Sequence, residues 1–168
     1  MSEAVVGLGG NVGDVAASFR SALAALDARA GVRVARASSL YRTAPVGGVE
    51  QDDFLNAAAL VECEVGPEEL LGLLLAIELD HGRVRDERWG PRTLDLDLLW
   101  FAGAALDRQE ATVPHPRLHE RRFALAPLVE VAPAATDATG RPYRAMLDAL
   151  PDDGVAVVGP PGLVYDPS

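Results

Sequence analysis

The run Arg92-Thr93-Leu94-Asp95-Leu96-Asp97-Leu98-Leu99-Trp100 sets two carboxylates two residues apart in an otherwise apolar stretch. Alternate side chains of a strand share a face. Leu94, Leu96, Leu98 and Trp100 are therefore predicted to point into the core, with Asp95 and Asp97 projecting together from the other face, about 6.5–7 Å apart. Neighbouring carboxylates repel unless a cation lies between them. Their hard oxygens suit Mg²⁺, which is commonly held by one or two carboxylates together with substrate phosphates. An isolated D-x-D is more often the solvated face of an ordinary strand. The segment ahead of it tilts that balance, because Arg83, Arg85, Arg88 and Arg92 fall close together around Trp89 and Gly90-Pro91. Arginine forks match phosphate geometry, and a loop carrying them could close over a polyphosphate. The plainer alternative pairs these arginines with Asp86 and Glu87 on a solvated surface.

Weaker signals lie elsewhere. Phe54 and Asn56 share one face of an apolar stretch, where an aromatic ring and a carboxamide could stack on and hydrogen-bond a flat heterocycle. Leu55, Ala57, Ala59, Val61 and Cys63 make the other, apolar side, so Cys63 reads as an inert core thiol. The segment Gly7-Leu8-Gly9-Gly10-Asn11-Val12-Gly13 lacks the third glycine of a dinucleotide-binding fingerprint, since Val12 stands there. It reads as a tight strand-to-helix turn. His115 and His119 have the spacing of helical zinc ligands, but Pro114 and Pro116 make a helix through His115 unfavourable. A polar loop histidine that contacts phosphate or stabilises the turn is the preferred reading.

Composition removes whole classes of chemistry. All 15 basic residues are arginine in a chain of 168 residues. Without lysine there is no Schiff-base catalysis and no P-loop or kinase-type lysine. A net charge of −10 disfavours general nucleic-acid binding. The lone Cys63 excludes an intrachain disulfide and fits a reducing cytoplasm. The N-terminus does not read as a signal peptide, and no apolar run approaches a bilayer span.

The elements that must position these residues are read from periodicity. A buried strand is predicted over 3–9, and a helix over about 15–29, capped by Asp14 with Phe19, Ala22, Leu23 and Leu26 on one face. Strands follow over 32–42 and 54–65, separated by a polar loop over 44–53. Gly66-Pro67-Glu68-Glu69 opens a leucine-rich helix ending near Gly82. A strand covers Leu94–Phe101, and short helices are expected near 117–122 and 143–150. One short strand is expected at 155–158, in an otherwise irregular tail over 151–168. The β-α-β-β-α-β order implies an α+β sandwich, with helices packed on a mostly antiparallel sheet in a single domain.

On residues alone two rivals stay open. A zinc or manganese hydrolase could combine Asp95, Asp97, His115 and His119, and a single-stranded RNA-binding module could use the Arg/Trp loop.

The motifs together resemble the 6-hydroxymethyl-7,8-dihydropterin pyrophosphokinase family of folate biosynthesis, over nearly the whole chain. The carrying residues are Gly7–Asn11, Ser39–Thr43, Gln51–Ala57, Gly82–Arg85, Arg88–Leu98, Val113–Pro116 and Arg121–Phe123. The Arg-Trp-Gly-Pro-Arg-Thr-Leu-Asp-Leu-Asp string is the most specific of them. The resemblance implies a ferredoxin-like fold and transfer of the pyrophosphoryl group of ATP to the pterin hydroxymethyl group. It implies two Mg²⁺ ions on Asp95 and Asp97, with Arg83 and Arg92 as catalytic clamps. It places Glu78, Arg83, Arg85, Trp89, Arg92, Leu98, Thr112, His115 and Arg121 at the ATP site. It places Thr43, Val46, Phe54, Asn56 and Phe123 at the pterin site, and implies a monomer without nucleic-acid or membrane partners. Gly10, Ala44, Leu75 and Pro116 depart from the residues frequent in relatives.

Overall fold

The computed structural model describes residues 1–43, 53–81, 94–104, 106–107, 112–114, 118, 121–151 and 154–167. The chain opens with β1 (Ser2–Gly10), whose short apolar run is buried almost throughout. Asp14 ends the following turn and caps α1 (Val15–Asp27), its Oδ1 accepting the Ala17 N–H at 3.1 Å. As the periodicity requires, Phe19, Ala22, Leu23 and Leu26 of α1 are buried.

The strand expected over 32–42 is divided into β2 (Val32–Ala37) and β3 (Leu40–Thr43). Both pair antiparallel with β4 (Phe54–Cys63). The division falls at the buried Ser38, whose backbone N–H donates to the Ala58 carbonyl while its Oγ accepts the Ala58 N–H, each at 2.8 Å. A hydroxyl thus replaces one rung of the ladder, which alternation alone does not reveal.

Pro67 opens α2 (Pro67–Asp80), with Glu68 and Glu69 in the first turn, where acids favour the positive end of the helix dipole. Next comes β5 (Asp95–Phe101), antiparallel to β1. The small pair β6 (Leu106–Asp107) and β7 (Thr112–Val113) stands apart, and the Val113–Pro114 peptide is cis.

The chain closes with α3 (Arg122–Val131), α4 (Tyr143–Asp148), β8 (Val155–Gly159) and a 3-10 turn at Pro161–Leu163. The main sheet runs β5-β1-β4-β3-β8, with β2 also on β4, and every pairing in it is antiparallel. This is the expected α+β, ferredoxin-like sandwich. No helix among the described residues is long and apolar enough to cross a membrane.

Both faces of the sheet are covered. On one, Ala4, Val6, Leu8, Ala57, Ala59, Val61, Leu96 and Leu98 join the buried sides of α1 and α2, and Cys63 lies in this core as an inert thiol. Burial pushes the Cys63 pKa up, which keeps the thiol protonated. On the other, Val5, Ala58, Leu60 and Leu99 meet Leu125 and Leu128 of α3 and Tyr143 and Met146 of α4. At roughly 1.5–3 kcal/mol per fully buried large apolar side chain, these two layers supply the main driving force.

One expectation is corrected here. The Leu94/Leu96/Leu98/Trp100 alternation breaks at a β-bulge, where Val6 pairs with Leu98 but Val5 pairs with Trp100. The extra residue, Leu99, reverses the parity. Trp100 therefore joins the second core, and its Nε1 donates to the Thr136 carbonyl at 2.9 Å. The helix expected near 117–122 lies mostly outside the described residues. The described helix begins at Arg122 and contains Pro127, the residue that hid it from periodicity.

Glu130 ties the last turn of α3 to the sheet. Its Oε2 accepts the Ser39 N–H and hydroxyl, each at 2.9 Å, and its Oε1 accepts the Tyr41 hydroxyl at 2.6 Å. Burial, reinforced by the Glu130 hydrogen bond and charge, raises the Tyr41 pKa far above its ordinary value. Because these bonds are partly exposed, Glu130→Ala is expected to lower stability by about 1–2 kcal/mol. Urea denaturation checks this, with an unchanged midpoint counting against the anchor.

The C-terminal tail is also fastened. Val164 is fully buried in the first core, and the Tyr165 hydroxyl donates to Asp27 Oδ2 at 2.8 Å.

Candidate active site

The polar part of the α3-covered face is built from four neighbouring strands. On β5, Asp95 and Asp97 lie on the side opposite Leu94, Leu96 and Leu98, as alternation requires. Asp95 is half-buried and Asp97 exposed. On β1, Gly9 pairs with Asp95 on one side and with Asn56 of β4 on the other, while Gly7 pairs with Asp97. On β3, Tyr41 pairs with Asn56 and Thr43 with Phe54. The row Tyr41–Asn56–Gly9–Asp95 therefore crosses the sheet, with a residue lacking a side chain between the carboxamide and the carboxylate.

Gly9 keeps that space open. A Cβ there would lie 3.3 Å from Asn56 Oδ1 and 3.9 Å from Asp95 Cβ. Gly7 and Gly9 stand in the strand expected over 3–9, which continues through Gly10, so the turn expected within Gly7–Gly13 begins only after Gly10. Alternation carried the missed signal: Val5, Gly7 and Gly9 share a face, as do Ala4, Val6 and Leu8.

Asn56 is 8% exposed, and its Nδ2 donates to Thr43 Oγ1 at 2.8 Å. That bond fixes the amide orientation, leaving Oδ1 toward the space above Gly9. Phe54 is half-buried at the head of β4, and Phe123 is half-buried in the first turn of α3. The Arg121 guanidinium sits over the Phe123 ring, 5.7 Å from its centroid, which orders both side chains at the helix entrance. Pro127 has no N–H to donate to the Phe123 carbonyl four residues earlier.

Glu78 of α2 lies in the interior, 2% exposed, and its Oε2 accepts the Leu96 N–H at 2.7 Å. Leu98 is a buried side chain of the first core, 3% exposed. The other expected residues, Val46, Arg83, Arg85, Trp89, Arg92 and His115, lie outside the described residues, as does the Thr112 side chain. Tyr41 and Glu130 were missed; their link shows only once α3 is placed over β3.

The donor set of Asp95 and Asp97 is all oxygen and anionic, which fits Mg²⁺. Among the described residues no group of three or more His, Cys, Asp or Glu could hold a metal on its own. A metal here would draw its remaining ligands from elsewhere, as Mg²⁺ does when it shares substrate phosphates.

A sequence model of the 7,8-dihydro-6-hydroxymethylpterin-pyrophosphokinase (HPPK) family matches residues 5–133. A 2-amino-4-hydroxy-6-hydroxymethyldihydropteridine pyrophosphokinase of Methylorubrum extorquens is 46% identical over 133 residues, covering 79% of this chain and 84% of that one. The protein of the same name from Bacillus subtilis is 46% identical over 128 residues, covering 76% and 77%. Among solved structures, wild-type Plasmodium falciparum HPPK-DHPS with pteroate superposes at a TM-score of 0.68 and 13% identity, over 88% of this chain and 44% of that one. An HPPK-DHPS in complex with substrates gives 0.66 at 12% identity, over 88% and 43%. This chain spans under half the length of those two solved chains, and at such identities the likeness concerns the fold.

Proposed function

Because the chain belongs to the 7,8-dihydro-6-hydroxymethylpterin-pyrophosphokinase family, and is thereby a diphosphokinase of folate synthesis, we propose that ATP and 6-hydroxymethyl-7,8-dihydropterin are its substrates. The pterin hydroxyl oxygen attacks the β-phosphorus in line. The bond from that phosphorus to the α,β-bridging oxygen breaks, AMP leaves and the hydroxyl proton is released. No covalent enzyme intermediate is needed.

The observation that carries this reading is the row across the sheet, with Asn56 on one side of the Gly9 gap and the Asp95/Asp97 pair on the other. An acceptor fixed by Thr43 suits the N–H edge of a flat heterocycle, and Phe54 and Phe123 supply its two stacking faces. Thr43 and Val46 would read the same edge through the backbone. Asp95 and Asp97 would hold Mg²⁺, two ions on this reading, which when bound neutralises charge on the polyphosphate. Arg83 and Arg92 would clamp the phosphates as charge develops. Arg85, Trp89, Thr112, His115 and Arg121 would surround the nucleotide, whereas the expected contacts of Glu78 and Leu98 are dropped from this reading because both side chains are buried in the interior. Holding both substrates in register supplies much of the rate enhancement.

The full chain 1–168 acts as one domain and as a monomer on this reading. Its compartment is the cytoplasm, where a buried free thiol such as Cys63 persists.

Calorimetric titration with a non-hydrolysable ATP analogue plus Mg²⁺, followed by the pterin, tests the proposal. Both ligands are expected to bind, with pterin affinity rising once nucleotide is present. Failure of either to bind overturns it.

A further inference from the structure

β5 is an edge strand, with β1 on one side and no strand on the other among the described residues. An edge leaves backbone N–H groups without a ladder partner, and such groups are costly when buried. At Leu96 the partner comes from a helix, because Glu78 Oε2 accepts that N–H at 2.7 Å. Leu96 stands between Asp95 and Asp97. Its side chain is buried with Ile77 and Leu74 of α2, on the face opposite the two carboxylates.

A carboxylate only 2% exposed on an otherwise leucine-rich helix is expensive to maintain. Leucine or methionine would fill the same volume without that desolvation cost. An amide N–H donating to a carboxylate is a strong hydrogen bond, and its acceptor sits on a rigid element. The contact fixes the backbone from which both site carboxylates project. A strand free to shift here would alter the separation and aim of Asp95 and Asp97 together.

We propose that Glu78 is a positioning residue that acts through the Leu96 amide to set the Asp95/Asp97 pair for a divalent cation. This rests on the functional reading above for the cation. The Glu78–Leu96 contact itself stands on the structure.

The test compares Glu78→Leu, which keeps bulk and loses the acceptor, with Glu78→Gln, which keeps an acceptor oxygen. Leu23→Ala, in α1 and away from β5, serves as a control for general loss of packing. Amide hydrogen exchange at Leu96 reads the contact. Mn²⁺ affinity in the presence of a non-hydrolysable ATP analogue, followed by electron paramagnetic resonance below each variant's melting temperature, reads the site.

Glu78→Leu is expected to lose Leu96 protection and to weaken Mn²⁺ about 10–100-fold, the range typical when support of a metal ligand is removed. Glu78→Gln is expected to restore protection and most of the affinity, and Leu23→Ala to leave Mn²⁺ affinity unchanged. Wild-type Mn²⁺ affinity in folded Glu78→Leu, or an equal loss in Leu23→Ala, overturns the proposal. If Glu78→Leu does not fold, Glu78→Asp decides. Its shorter reach should lower both Leu96 protection and Mn²⁺ affinity, and retention of both overturns the proposal. A wild-type protein that binds no Mn²⁺ with the analogue refutes the cation reading instead, while the exchange data still report on the contact.

Discussion

Replacing Asp97 with asparagine is expected to lower AMP release from ATP and pterin by about 10²–10³-fold, with little change in melting temperature. The substitution keeps the shape of the side chain and removes its charge. Asp97 is exposed on β5, so no packing is lost with that charge. Asp95→Asn should act in the same direction, with a larger stability change because Asp95 is half-buried beside Gly9. The functional loss follows from the chemistry of the donor set. Two anionic oxygens on one strand face can hold a hard cation that shares the substrate's phosphates, and an amide oxygen is a far weaker ligand for it. Steady-state kinetics over a range of Mg²⁺ concentrations provide the measurement. Partial recovery at high Mg²⁺ would identify weakened cation binding as the cause. Near-normal turnover in either variant would remove the carboxylate pair from the mechanism.

That pair could be read directly from the sequence because its geometry is local. Once 94–98 is taken as a strand, period-two alternation sends Asp95 and Asp97 to one face without any knowledge of the fold. The Asp14 cap, the Pro67 helix start and the buried face of α1 are local in the same sense, and each is present. Alternation stops being informative where a strand carries an extra residue. Leu99 is that residue, and its signature is the register between β1 and β5, a property of two strands together. Trp100 consequently faces the opposite way from the one its spacing suggests. α3 escaped for a related reason. Pro127 reads locally as a helix breaker, yet burial of Leu125 and Leu128 against Val5, Ala58 and Leu60 stabilises a helix that propensity disfavours. The Glu130–Tyr41 link spans 89 residues and could not be foreseen from either end. Asn56 was visible as a polar residue on an apolar strand. Its restraint by Thr43 depends on the pairing of β3 with β4, which in turn follows from the break at Ser38.

Gly9→Val is expected to reduce kcat/KM for the pterin by about 100-fold while leaving the protein folded. The reasoning turns on what a side chain at this position would meet. Gly9 lies between Asn56 and Asp95 on the site face, and even a Cβ would stand 3.3 Å from Asn56 Oδ1. The branched carbons of valine must displace the amide, which breaks its hydrogen bond to Thr43 Oγ1 and fills the gap above the strand. A displacement of about 1 Å in a positioning group is enough for a loss of this size. Stability should fall by only about 1 kcal/mol, the worth of a typical hydrogen bond, because valine suits an extended backbone better than glycine does.

Gly7→Val, two residues earlier on the same face, is the informative contrast. A Cβ there would lie 2.9 Å from Leu99 Cδ1, inside the second core and away from Asn56. Overpacking of that kind costs about 1–3 kcal/mol and should appear in thermal melts first, with catalysis less affected. Loss of pterin turnover in Gly9→Val at near-wild-type stability, against loss of stability in Gly7→Val, would show that one strand face changes from core to substrate floor between these two glycines. Equal kinetic effects in the two variants would mean that the gap above Gly9 has no part in binding the pterin.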